Sequence, residues 1–135
     1  MKDRISIIVG KIIQFVSRLR GGGSALPGLV VEKINPNFIG NMLGNLKYGV
    51  VVVSGTNGKT TTTKMVVELL ESQGMKVFSN KTGSNFVRGV GAALLSESSW
   101  AGKLNADITV LELDEAHATH FVKLVKPRYS LLLNV

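Results

Sequence analysis

Cysteine is absent from this 135-residue chain, and aromatic residues are scarce. Without cysteine there is no disulfide framework, no cysteine-ligated zinc and no thiol nucleophile, which is consistent with a reducing cytoplasm. Aromatic residues make up 6% of the chain, and no basic stripe is interleaved with them, so the net charge of +7 does not indicate a nucleic-acid partner. Attraction to a polyphosphate or to an anionic membrane surface explains that charge as well.

Long hydrophobic runs are also absent, although the first segment has a clear apolar periodicity. The spacing over residues 5–19 predicts a helix with one apolar face, formed by Ile5, Ile8, Ile12, Phe15 or Val16, and Leu19. Arg4, Lys11 and Arg18 recur every seven residues on another face. Lys11 and Gln14 interrupt the apolar run, which argues against a spanning helix and a signal peptide. Two interpretations stay open: a helix packed on the rest of the protein, and an interfacial helix on an anionic membrane.

The segment between this helix and residue 46 has no evident chemistry. Residues 21–28, GGGSALPG, predict a flexible break. Pro36 precedes a predicted short helix over residues 37–45, and Gly40 and Gly44 interrupt any longer one.

The stretch around which the chain is organised is VVVVSGTNGKTTTTKM, residues 50–65. The four valines from Val50 to Val53 predict a strand buried on both faces, as in parallel sheets. A glycine-containing turn over residues 54–60 follows, and a helical pattern comes next. This order is typical of a phosphate-binding loop.

Each residue type in the turn has a reason to contact a polyphosphate. Gly55 and Gly58 allow a tight turn whose N–H groups approach the phosphates. Lys59 would neutralise the β- and γ-phosphates at a helix N-terminus, and Thr60 would be a ligand for Mg²⁺. The general pattern G-x-x-x-x-G-K-[ST] requires glycine at position 53, where this chain has Val53.

Further strands and helices alternate after the loop. The patterns predict helices over residues 61–74, 90–95 and 115–125, and strands over residues 75–79, 107–113 and 128–135. In the first of these helices the inward residues are expected to be Met65, Val66, Leu69 and Leu70. The alternation predicts an α/β fold, a parallel sheet covered by helices on both faces.

Acidic residues at the end of the third predicted strand are the second candidate site. Ligands of open α/β sheets collect beyond the carboxyl ends of the strands, and Glu112 and Asp114 point to the same side there. Glu112 beside Thr60 would bind Mg²⁺. At least one of the acidic residues at positions 114 and 115 is expected only to cap the next helix. His117 and His120 lack a third nearby ligand, so no metal is assigned to them.

These residues resemble those of the Mur ligase superfamily, whose ATP loop also reads Gly-Thr-x-Gly-Lys-Thr/Ser. The match is SGTNGKTT at residues 54–61, and it accounts for the missing glycine at position 53. LELDE at residues 111–115 resembles the strand with the magnesium glutamate, and LLLNV at residues 131–135 resembles the next strand. Within the superfamily, the basic N-terminal helix, residues 82–89 and the Glu112-x-Asp114-Glu115 motif resemble the MurT-type ligase subunits of lipid II isoglutaminyl synthase.

The resemblance implies ATP and Mg²⁺ as cofactors and assigns roles to the matching residues. The phosphate-binding residues would be Gly55, Thr56, Asn57, Gly58, Lys59, Thr60 and Thr61. Thr60 and Glu112 would hold magnesium, with Lys59 and Glu112 as catalytic residues. Asn85 and Arg88 are expected on the substrate side.

The reaction implied is the ligation of a carboxylate and an amine through an acyl phosphate. In MurT-type subunits the carboxylate belongs to D-isoglutamate of lipid II, and ammonia comes from a GatD-type glutamine amidotransferase. The location implied is cytoplasmic, and a position at the inner face of the membrane stays open. Alternatives are a folylpolyglutamate synthase-like ligase and a stand-alone nucleotide-binding module without catalysis.

The domain organisation implied has three parts. Residues 1–20 form the N-terminal amphipathic helix, residues 21–46 a glycine-rich linker with a short helical segment, and residues 47–135 the first part of the ATP-binding central domain. Family members continue past this point, so these 135 residues are expected to be a fragment that is inactive alone.

Overall fold

The computed structural model describes residues 2–21, 25–80 and 87–134. Helices and strands alternate in the described residues as the sequence predicts, after three N-terminal helices. In chain order the elements are α1 Lys2–Leu19, α2 Ala25–Ile34, α3 Phe38–Leu43, β1 Val50–Gly55, α4 Lys59–Ser72, β2 Val77–Ser79, α5 Val87–Glu97, β3 Ile108–Glu112, α6 Glu115–Leu124 and β4 Tyr129–Leu133. Among the helices described, none combines the length and apolarity needed to cross a bilayer.

The strands form one parallel sheet in the order β2-β3-β1-β4, which confirms the predicted α/β class. β1 and β3 lie in the centre, and every residue of both is buried. Their register pairs Val53 with Glu112, so the end of β3 lies beside the start of the glycine loop. β2 and β4 are the edge strands, and the side chains of β4 are exposed or half-buried. Full cover on both faces therefore holds for β1 and β3 but not for β4 in the residues described.

Helices pack on both sides of the central strands. Val51 and Val53 face α4, where Val66, Val67 and Leu70 pack against them. Val50 and Val52 face the opposite layer, which α3, α5 and α6 form. α2 packs on α5, and α1 packs on both, so α1 and α2 form an outer layer.

The inward face of α4 differs from the sequence expectation. Met65 and Leu69 are 65% and 62% exposed, whereas Thr63 is buried. The face of α4 that is turned to the sheet follows the i, i+3, i+4, i+7 spacing and consists of Thr63, Val66, Val67 and Leu70. Thr63 is the member of this face that lies nearest the loop. The expectation was right for Val66 and Leu70 and wrong for the other two.

A helix stands where part of the flexible break was expected. α2 begins at Ala25 and includes Pro27 and Gly28; residues 22–24 lie outside the described part. Proline is tolerated in a first helical turn, because the N–H groups there have no partner within the helix. Gly28 is needed for close packing rather than for flexibility, since a Cβ there would lie 2.0 Å from the carbonyl oxygen of Arg88.

The helix α1 packs on the protein, which is the first of the two interpretations that the sequence left open. It packs through Ser6, Ile7 and Gly10, which are buried, and not through the apolar face that the spacing predicts. The predicted apolar residues are all exposed, namely Ile5, Ile8, Ile12, Phe15, Val16 and Leu19. Periodicity places residues on a shared face but does not say which face a neighbour covers.

Candidate phosphate- and metal-binding site

The loop between β1 and α4 depends on glycine at two backbone positions. Gly55 has φ 142°, and a Cβ there would lie 1.9 Å from the carbonyl oxygen of Leu133 on β4. Gly58 has φ 80° in the left-handed region and precedes the first residue of α4. Other residues rarely adopt these φ values. The loop therefore passes directly from the central strand to the N-terminus of α4.

Lys59 is folded over its own loop. Its Nζ donates hydrogen bonds to the carbonyl oxygens of Gly55 and Thr56, and it lies 3.5 Å from Oδ1 of Asp114. The Lys59 side chain is only 13% exposed. A positive charge is thus held at the N-terminus of α4, where an anion is favoured by the helix dipole and by free N–H donors. Asp114 supplies the counter-charge, which the sequence motif alone did not indicate.

Thr60 and Glu112 meet as the sequence reasoning expected. The Oγ1 of Thr60 donates a hydrogen bond to Oε1 of Glu112 at 2.9 Å. Glu112 is 6% exposed and ends the central strand β3. The parallel register brings the end of β3 beside the loop, because the carboxyl ends of parallel strands share one edge of the sheet.

Asn80, directly after β2, fixes the backbone of Glu112. Its Nδ2 donates to the carbonyl oxygen of Glu112 at 2.8 Å, and the N–H of Glu112 donates to its Oδ1 at 2.8 Å. Asn80 is itself buried. The sequence did not indicate this role, because an asparagine that bonds to a neighbouring strand looks like any other asparagine in a polar stretch.

The Thr60–Glu112 pair fits a hard cation. Within the described part of the chain, no cationic side chain pairs with the Glu112 carboxylate. A buried carboxylate is costly without a positive partner, and hydroxyl and carboxylate oxygens are ligands that Mg²⁺ accepts. Mg²⁺ usually keeps several waters and phosphate oxygens, so two protein ligands are sufficient.

Two further contacts tie the loop to its neighbours. Thr56 Oγ1 donates to Oε1 of Glu115 at 3.3 Å. The N–H of Asn57 donates to Oδ1 of Asn134 at 3.2 Å, and Asn134 Nδ2 donates to the Asn57 carbonyl oxygen at 3.4 Å. Asn134 stands just after β4 with φ 37°. Asn134 matched the family strand by sequence, but its contact with the loop was not foreseen.

Beside Thr60 and Glu112 lies an open cleft of about 600 Å³. Its walls come from α4, from β2 and the residue after it, and from the ends of α5 and β3. The lining residues are Thr60, Thr63, Lys64, Val67, Glu68, Glu71, Val77, Ser79, Asn80, Glu97 and Glu112. Through this cleft a ligand could reach the Thr60 and Glu112 side chains from the side of α4.

The other residues that the sequence singled out have no described contact with the loop or with Glu112. Arg88, at the start of α5, donates through Nε to Oε2 of Glu32 at 3.1 Å, so it links α5 to α2. Asn85 lies outside the described residues. Their assignment to the substrate side stays a prediction. For His117 and His120, the described residues offer no group of three metal-ligating side chains.

A buried parallel strand, a glycine loop, a lysine at a helix N-terminus and a carboxylate on the adjacent strand define the class of P-loop-like α/β domains. The family model of the Mur ligase middle domain matches residues 53–135 of the chain. The chain therefore belongs to the Mur ligase middle domain family.

Relatives and solved structures agree with that membership. The chain is 32% identical to the MurT subunit of lipid II isoglutaminyl synthase (glutamine-hydrolyzing) from Streptococcus pneumoniae, over 100% of this chain and 29% of that protein. Its identity to the Staphylococcus aureus (strain COL) MurT subunit is 28%, over 99% and 30%. The structure is similar to that of MurF ligase from Thermotoga maritima in complex with ADP, with TM-score 0.59 and 31% identity over 70% of this chain and 22% of that one. The chain thus spans less than a third of the curated relatives that it matches.

Proposed function

We propose that this chain is the ATP- and Mg²⁺-binding part of a ligase that joins a carboxylate to an amine. The observation that carries the proposal is the Thr60–Glu112 hydrogen bond of 2.9 Å, directly beside the Lys59 loop. Family membership supports it, as does the ADP in the similar MurF structure.

Each residue of the site would serve phosphoryl transfer by positioning and charge. The loop from Gly55 to Thr61 would hold the phosphates, and Lys59 would leave its loop carbonyls to neutralise them. Thr60 and Glu112 would hold Mg²⁺, which supplies stabilisation of the negative charge that develops on the phosphate oxygens. The Lys59–Asp114 contact of 3.5 Å would keep the ammonium oriented until ATP replaces the carboxylate as its partner.

The reaction proposed has two balanced steps. The carboxylate oxygen takes the γ-phosphoryl group of ATP, and ADP leaves. Ammonia then attacks the acyl carbon, loses a proton and expels inorganic phosphate. The full-length protein would amidate the D-isoglutamate carboxyl of lipid II, using ammonia from a GatD-type glutamine amidotransferase. The names of the MurT relatives support this substrate and this glutamine-hydrolysing partner.

The proposal is tested with the full-length protein and its amidotransferase partner. Lys59→Ala should lower ATP-dependent amidation of lipid II by about 10²–10³-fold, because a preorganised charge at the transition state is lost. Lys123→Ala, in the last turn of α6, removes the same charge and should leave the rate unchanged.

Three outcomes distinguish the alternatives. Full activity of Lys59→Ala would contradict the assigned ATP site. Turnover of a folate and glutamate in place of lipid II would favour a folylpolyglutamate synthase-like ligase. Binding of Mg·ATP without any ligation would favour a nucleotide-binding module.

A further inference from the structure

The outward side of α1 is an apolar strip that the described protein leaves uncovered. We call it the outward face, and it consists of Ile5, Ile8, Ile12, Phe15, Val16 and Leu19. These side chains are between 41% and 72% exposed. A contiguous exposed strip of large aliphatic and aromatic groups marks an interaction surface.

The opposite side of α1 is fixed to the protein, so the helix cannot rotate to bury the outward face. Ile7 is 0% exposed in the core. Gln14 Nε2 donates to Oγ of Ser96 on α5 at 2.6 Å. Near the N-terminus, Oδ1 of Asp3 accepts a hydrogen bond from Asn35 Nδ2 at 2.6 Å. The outward orientation is therefore a property of the folded helix.

Positive charge borders the outward face on both sides. At about 100° per residue, the centre of the outward face lies roughly opposite the packed side. On the same projection one border carries Arg4, Lys11 and Arg18, and the other carries Lys2, with Arg20 following directly after the helix on that side. The single acidic residue of the helix, Asp3, is bonded to Asn35 and Asn41 on the packed side. No carboxylate of α1 therefore opposes an anionic surface.

An exposed tryptophan lies beside the border that contains Lys11. The Nζ of Lys11 lies 5.4 Å from the ring centroid of Trp100, which is 62% exposed. Partial burial, together with the charge of Arg18, lowers the pKa of Lys11. Indole rings favour the boundary between apolar and aqueous phases. The turn after α5 thus adds an amphipathic group beside the same surface.

From this arrangement we infer that α1 lies flat on an anionic lipid bilayer, with the outward face in the acyl boundary and the basic borders among the headgroups. An apolar strip flanked by Lys and Arg fits an interfacial helix. A lipid surface attracts basic residues at any position along the helix, so these charges need no acidic partners at matched positions. The inference stands on α1 and Trp100 alone and does not require the ligase proposed above.

The test is co-sedimentation of the full-length protein with vesicles at low salt. Vesicles of phosphatidylcholine with phosphatidylglycerol should bind the protein, and vesicles of phosphatidylcholine alone should bind it much less. Raising the ionic strength should release it, because salt screens the attraction to the headgroups. Replacing Arg4 and Arg18 together by Gln should weaken binding by roughly fivefold for each charge removed.

A matched pair of variants separates the outward face from exposed apolar residues in general. Phe15→Ser with Leu19→Ser should abolish binding to the anionic vesicles. Met65→Ser with Leu69→Ser on α4 has the same spacing and similar exposure, and it should bind like the unaltered protein. Equal binding by both double variants, or no binding by the unaltered protein, would overturn the inference. So would a partner subunit, another domain or a second copy that covers Phe15 and Leu19 in the free protein, detected by hydrogen exchange over α1.

Discussion

The phosphate loop and the outward face of α1 reverse the usual placement of side chains in opposite ways. At the loop, polar groups are buried: Glu112 and Asn80 are both 6% exposed. On α1, apolar groups are exposed, and Phe15 is 65% exposed. Buried polar groups and exposed apolar strips are the informative departures from a folded protein's average. A buried polar group is costly unless it is hydrogen-bonded or paired, and an exposed apolar strip marks a contact surface.

The two regions differ in how they are held. The loop is fixed from several directions, by β4 at Gly55, by Asn80 at Glu112 and by Asp114 at Lys59. α1 is fixed from one side only, and its other side contacts no described residue closely enough to be buried. We therefore expect substitutions at the loop to change both stability and chemistry, and substitutions on the outward face to change binding alone.

The largest effect on the loop side is expected from Gly55→Ala. The new Cβ would lie 1.9 Å from the Leu133 carbonyl oxygen, at a φ of 142°, so β1 and β4 would have to separate. We expect a loss of about 4 kcal/mol or more in the free energy of opening, measured by hydrogen exchange of the β1 amides. Gly74→Ala is the control, because it has φ 82° but no atom within 4 Å, and strain alone should cost about 1–2 kcal/mol. Equal losses would show that the β4 contact does not constrain the loop.

The chemistry of the buried carboxylate is tested by Glu112→Gln. Amidation by the full-length protein should fall by about 10²–10³-fold, because the amide keeps the shape but not the charge that is proposed to hold Mg²⁺. Stability should stay constant or rise, since the buried charge that is removed has no cationic partner among the described residues. Asp107→Asn, directly before β3 and at the opposite end of that strand from Glu112, is the control for loss of one carboxylate. If Glu112→Gln lowered stability and kept its activity, the carboxylate would be structural.

An intermediate effect is expected from Asn80→Ala. The substitution removes two hydrogen bonds of 2.8 Å and leaves the Glu112 N–H and carbonyl groups buried without that partner. We expect a cost of about 2–3 kcal/mol in the opening free energy of β3, and an increased Mg²⁺ requirement of the ligase. Asn45→Ala loses a single exposed bond of 3.4 Å and should cost less than about 0.5 kcal/mol. If Asn80→Ala lowered the opening free energy as little as Asn45→Ala, the two hydrogen bonds from Asn80 would not be needed to position Glu112.

Local pattern predicted most of the sheet and the centre of the site. The four valines and the alternation of elements gave β1 to β4 with small boundary errors, because buried parallel strands are continuous apolar runs. Thr60 and Glu112 could be paired from the rule that ligands gather at the carboxyl ends of parallel strands, together with the family motif.

What sequence reasoning missed depended on tertiary contacts. Nothing local indicated that Asn80 would bond to β3 or that Asn134 would bond to the loop, since both partners are distant along the chain. The same limit explains α1: periodicity identified its apolar face, but the packed side was decided by α2 and α5. Pro27 and Gly28 are typical of a break between elements, but here Pro27 lies in the first turn of α2 and Gly28 allows α2 to pack closely on α5.

The smallest effect is expected on the outward face. Phe15→Ser in the full-length protein without lipid should change the opening free energy of α1 by less than about 0.5 kcal/mol, because its side chain contributes little buried area. Ile7→Ala on the packed side should cost about 2–5 kcal/mol, since Ile7 is 0% exposed and its loss leaves a cavity. Hydrogen exchange of the α1 amides measures both. A cost at Phe15 near that of Ile7 would mean that another part of the protein covers the outward face, and the contrast between the two regions would then be lost. If Phe15→Ser left the opening free energy of α1 unchanged and Phe15→Ser with Leu19→Ser abolished vesicle binding, the outward face would serve contact with lipid rather than folding.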